Sequence, residues 1–129
     1  MEERKKILVV DDEDALRRAL VDALNAENMF DVTDAPDGEV ALDIIRKDAP
    51  DLVLLDISMP RMDGITLARK MSEEKLLGRT KVIFLTNATD IDQIATAVEA
   101  GSADYLIKAD WDMKDIIARI KEKASMIKI

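Results

Sequence analysis

From end to end the chain alternates between short aliphatic runs and stretches whose apolar residues recur every three or four positions. Unbroken runs rich in Val, Ile and Leu, at residues 5–10, 52–55 and 81–85, read as strands buried on both faces of a sheet. The stretches between them read as helices with one apolar stripe. Leu16, Ala19, Leu20, Ala23 and Leu24 mark the first, and Val40, Ala41, Ile44 and Ile45 the second. Leu67, Ala68 and Met71 mark a third that runs to about Gly78, and Ile91, Ile94, Ala95 and Val98 a fourth closed by Gly101. Ile116, Ile117, Ile120, Ala124 and Ile127 mark the last. The more polar run at 31–35 suits a sheet edge, and residues 105–107 supply a fifth strand. Strict strand–helix alternation with short connections dictates right-handed crossovers, so the expected fold is α/β: a (βα)5 doubly wound three-layer sandwich with a five-stranded parallel sheet.

In such a sheet ligands bind beyond the carboxyl ends of the strands. Here the first strand ends on Asp11 and Asp12, the third on Asp56, the fourth on Thr86 and the fifth on Lys108. Each alone has a plainer reading. An Asp after a strand caps the next helix, as Asp12 or Asp14 could for the first, a Thr turns the chain, and a Lys is a solvated charge. Five such residues at matching ends point together to a site. Three clustered carboxylates repel unless a cation joins them, and oxygen donors with room for water and a phosphate suit Mg2+. A carboxylate left over by the metal is able to attack a phosphoryl group and form an acyl phosphate.

Composition narrows the chemistry further. The chain has 129 residues, enough for one domain with its own core, with neither cysteine nor histidine. That excludes thiolate chemistry, a Ser-His-Asp triad and a histidine phosphocarrier within the chain. A net charge of −8 speaks against direct contact with nucleic acid or an anionic membrane. No apolar stretch reaches the length of a membrane span and the charged start is no signal peptide, so a cytoplasmic protein is expected.

The sequence Val9-Val10-Asp11-Asp12-Glu13, then residues 55–64 (LDISMPRMDG), Leu85-Thr86, and residues 100–108 (AGSADYLIK) resembles the receiver domain of two-component response regulators over nearly the whole chain, 1–129. The resemblance implies a flavodoxin-like sheet in the order 2-1-3-4-5, an order the handful of known doubly wound folds includes for this family. It implies Asp56 as phosphoacceptor, with Asp11, Asp12, Asp56 and the Ser58 backbone carbonyl around Mg2+. It makes Thr86 the switch hydroxyl, Lys108 its phosphoryl-pairing lysine and Tyr105 the aromatic whose rotamer follows the switch. An ordinary half-buried strand aromatic is an equal reading of Tyr105. The donor would be a histidine kinase or phosphotransfer protein. The output would pass through the surface of the fourth helix, fifth strand and fifth helix to a downstream protein or a second copy, with no output domain within the chain. Apart from its own phosphoryl acceptance and slow dephosphorylation, such a domain is not an enzyme.

Three positions depart from the family pattern. Ala109 replaces the usual proline after Lys108, and a cis bond before a non-proline residue costs about 2.5–4 kcal/mol, so a trans bond is expected. Asn87 follows Thr86 where a very small residue is usual, and near the rim Ala88, like Ser58, is small and poorly suited to steering an attacking water. These substitutions keep open an alternative, a non-phosphorylated pseudo-receiver acting as an interaction module. An aspartyl phosphatase would carry a second Asp where Ser58 stands. A flavin site or a P-loop would need the glycine- and hydroxyl-rich loop that Asp11-Asp12-Glu13 replaces. Near the C-terminus, Asp112 and Asp115 read as a helix-capping pair with Trp111 packed before them. Met29, Met71 and Met126 read as core or edge filler.

Overall fold

The computed structural model describes residues 4–86, 103–107 and 112–126, without the side chains of Thr86, Ala103, Asp104, Tyr105 and Ile107. Five parallel strands, β1 (Lys5–Val10), β2 (Phe30–Ala35), β3 (Leu52–Asp56), β4 (Lys81–Thr86) and β5 (Ala103–Ile107), form one sheet in the order β2-β1-β3-β4-β5. This is the expected flavodoxin-like arrangement, with the polar β2 at an edge. The helices are α1 (Asp14–Ala26), α2 (Gly38–Asp48), α3 (Gly64–Glu73) and a C-terminal helix (Met113–Ser125). The expected fourth helix, with Gly101 and Trp111, lies outside the described residues.

Because successive strand side chains point to opposite faces, the aliphatic runs serve two cores at once. Leu8, Val10, Val53, Leu55, Val82 and Phe84 pack with Ala41 and Ile45 of α2 and Leu67 and Met71 of α3. Ile7, Val9, Leu52, Leu54, Ile83 and Leu85 pack with Leu20 and Leu24 of α1 and with Ile116, Ile117 and Ile120 of the C-terminal helix. The sheet is therefore covered on both sides, which explains why the aliphatic runs of β1, β3 and β4 have no polar face, while edge strand β2 keeps Asp31 and Asp34 exposed.

Four details differ from the sequence reading. The third helix ends at Glu73 rather than near Gly78, because Lys75 adopts φ 60°. The Leu76 amide then reaches back to the Met71 carbonyl and the Lys75 amide to that of Ser72, a paired helix stop usually built on glycine. In α2, Leu42 is buried and Val40 is exposed. Met71 is core, but Met29 and Met126 are exposed. Neither Asp12 nor Asp14 caps α1: Glu13 holds the cap position without a side-chain bond, and Asp14 pairs with Arg17.

At the C-terminal helix the expected cap is present, the Asp115 amide donating to Asp112 Oδ1 at 2.9 Å. Asp112→Ala is expected to cost about 1 kcal/mol of stability, read as a fall of about 4 °C in Tm. No helix among the described residues is long and apolar enough to cross a membrane.

Candidate functional site

Sheet register brings the acids together. Val10 lies opposite Leu55, so one residue further along each strand Asp11 comes beside Asp56. Asp56 in turn lies opposite Leu85, and Thr86 opposite Ile107, so four strands end on this edge. Carboxylate oxygens of Asp11, Asp12 and Asp56 lie within 4.8 Å of one another. Asp11 and Asp56 are buried while Asp12 is exposed, which leaves the cluster open on one side.

At 4.8 Å, two carboxylates repel by about 3.5 kcal/mol in a surroundings of effective dielectric about 20. The donor set matches the group that relieves this repulsion. Six oxygens at about 2.1 Å from Mg2+ sit about 3.0 Å apart when adjacent and about 4.2 Å when opposite. Three carboxylate oxygens held within 4.8 Å are close to that frame, and Ser58 stands exposed two residues beyond Asp56.

Asp11 is anchored by its neighbours. The Asp11 amide extends the β1–β2 ladder to the Ala35 carbonyl at 3.2 Å. Its carboxylate accepts the Glu13 amide at 2.9 Å, closing the turn into α1. Arg17, one turn into α1, donates to the Asp11 carbonyl and to Asp34 Oδ2 on β2, both at 2.8 Å, and pairs with Asp14 at 2.7 Å. Burial alone would lower its pKa, but the bonds and charges of Asp34 and Asp14 outweigh that and hold the guanidinium above its ordinary value. Arg17 thus ties β1, β2 and α1 around the turn that carries two of the three acids. Arg17→Ala is expected to destabilise the fold by about 1.5–3 kcal/mol, the range for hydrogen bonds to a charged group, checked by urea denaturation.

Behind Asp56 the chain doubles back closely. The Gly64 amide, first in α3, donates to the Ile57 carbonyl at 2.8 Å, and Asp63 caps the helix by accepting the Thr66 amide at 2.7 Å. A Cβ on Gly64 would overlap the Asp56 carbonyl oxygen. Of the residues singled out from the sequence, Asp11, Asp12 and Asp56 meet, and Ser58 stands on the adjoining loop. Thr86 and Tyr105 are placed by their backbones at the ends of β4 and within β5. Lys108, Asn87, Ala88 and Ala109 lie outside the described residues. Arg17 and Gly64 were not legible as site residues: an Arg on a helical stripe reads as a surface charge and a Gly after Asp as a turn.

Comparison with known proteins agrees with this geometry. The family described as response regulator receiver domain matches residues 7–121. A probable transcriptional regulator, ycf27, of Cyanophora paradoxa is 38% identical over 118 residues, covering 92% of this chain and 47% of that protein. The DNA-binding response regulator MtrA of Mycolicibacterium smegmatis is 35% identical, covering 93% of this chain and 50% of that protein. The chain thus spans about half the length of these relatives. Among solved structures, the Francisella response regulator 1452 receiver domain superposes with TM-score 0.84 at 29% identity, covering 97% of this chain and 100% of that one. A CheY-like receiver domain protein from Methanospirillum hungatei does so with TM-score 0.85 at 29% identity, covering 95% of each chain.

Proposed function

This chain belongs to the response regulator receiver-domain family of two-component systems, and from that premise we propose that it is a phosphorylation-driven switch with Asp56 as the phosphoacceptor. The observation that carries the reading is the convergence of Asp11, Asp12 and Asp56 within 4.8 Å on one sheet edge. Asp11 and Asp12, with the Ser58 carbonyl, would hold Mg2+. The bound ion supplies positive charge to the phosphoryl oxygens, which favours in-line transfer.

An Asp56 carboxylate oxygen attacks phosphorus, a P–O bond to Asp56 forms, and the bond to the donor breaks with its electron pair leaving on the donor. The donor is a histidine kinase or phosphotransfer protein, where the broken bond is P–N, or a small acyl phosphate. Lys108 and the Thr86 hydroxyl are assigned to the phosphoryl oxygens. Movement of Thr86 and Tyr105 would then bias the surface of the fourth helix, β5 and the C-terminal helix between two states, toward a downstream protein or a second copy of the domain. The domain turns over no substrate beyond its own phosphorylation and dephosphorylation. It works in the cytoplasm, where its donor's phosphorylated histidine is found. A complete acidic set favours this over a pseudo-receiver that no longer accepts phosphate.

The test is incubation with acetyl phosphate in Mg2+ or in EDTA, followed by intact mass. The expected result is one added phosphoryl group with Mg2+ and none, or far less, with EDTA. No gain in either arm overturns the reading.

A further inference from the structure

The loop between β3 and α3 contains an arrangement that the acids alone do not explain. Arg61 has φ 66°, a left-handed conformation that favours glycine, and the Met62 amide bonds across it to the Pro60 carbonyl at 2.7 Å. A hydrogen bond spanning one central residue of positive φ is the rarer, strained γ-turn. The arginine side chain accounts for the residue's presence there. Its guanidinium donates to Asp37 Oδ2 at 3.0 Å, and Asp37 is 3% exposed. The other Asp37 oxygen caps α2 by accepting the Val40 amide at 3.0 Å. Beside them the Gly38 amide donates to the Met62 carbonyl at 3.2 Å, an approach that a Cβ at 38 would block.

We propose that Asp37 and Arg61 are positioning residues for the acidic site: their pair clasps the N-terminus of α2 to the strained loop and so fixes the Ser58 carbonyl relative to Asp11, Asp12 and Asp56. The inference rests on the Mg2+ reading above, since it gives the clasp its purpose. A glycine at 61 would relax the backbone but release the loop from α2. An asparagine at 37 would keep the cap on α2 through its one oxygen and turn an amide NH2 toward Arg61, removing both the charge and the acceptor of the pair. Both therefore separate site geometry from stability.

The experiment measures Mg2+ affinity by calorimetry, Tm, and amide exchange of Gly38, Met62 and Gly64, for wild type, Arg61→Gly and Asp37→Asn. Arg61→Gly is expected to keep or raise Tm while weakening Mg2+ binding about tenfold, the range for residues that orient metal ligands. Its Met62 and Gly38 amides should exchange faster with no metal present. Asp37→Asn is expected to shift affinity in the same direction with Tm little changed. Wild-type affinity in both variants overturns the clasp while leaving the Mg2+ site intact. A wild type that binds no Mg2+ overturns the Mg2+ reading and the clasp's role in it. Unchanged amide exchange would show that the pair does not hold the loop.

Discussion

Gly64→Ala is expected to lower stability by about 2–3 kcal/mol, or about 10 °C in Tm. The added methyl would overlap the Asp56 carbonyl oxygen and come within 3.0 Å of the Ile57 Cα. Both are backbone atoms and neither is able to rotate away, so α3 must retreat and lose the Gly64–Ile57 hydrogen bond. The same movement displaces Asp56, and Mg2+ should no longer stabilise the variant. Gly78→Ala is the control, because a methyl there meets nothing within 4 Å. A wild-type Tm for Gly64→Ala would mean that the close passage of α3 behind the site is not what holds it.

Asp56→Asn should sever the link between Mg2+ and stability. A ligand that binds only the folded state at ten times its Kd stabilises by about 1.4 kcal/mol, close to 5 °C for a chain of this size. That shift is expected for wild type. With Asn at 56 one of the three converging anions is gone, and the shift should fall to a small fraction. Differential scanning fluorimetry with MgCl2 against an equal ionic strength of NaCl separates binding from screening. An equal shift in both proteins would place the cation elsewhere.

Much of this was legible in the residues. Aliphatic runs without a polar face require a sheet covered on both sides, and the strand ends alone place Asp11, Asp12 and Asp56 on one edge. The sheet order came from family likeness, since periodicity says which elements form but not which strands neighbour. What escaped was backbone behaviour unusual for the residue type. Lys75 at φ 60° ends α3 where Gly78 looked like the stop, and Arg61 at φ 66° sits where a glycine would be expected. Contacts made by long side chains across sequence were equally hidden. Nothing local to Arg17 announces that it reaches Asp11 and Asp34, and nothing local to Asp37 announces Arg61. Asp12 and Asp14 look like helix caps by position, yet the turn is closed by Asp11 accepting the Glu13 amide.

The central claim is that Asp56, alone among the three acids, carries the phosphoryl group. Intact mass of wild type beside Asp56→Asn, after acetyl phosphate and Mg2+, tests it most directly, with fragmentation of the peptide spanning the site. The account predicts one phosphoryl group on wild type, located at Asp56, and none on the variant. Equal phosphorylation of Asp56→Asn, or a wild-type label located on Asp11 or Asp12, would contradict it.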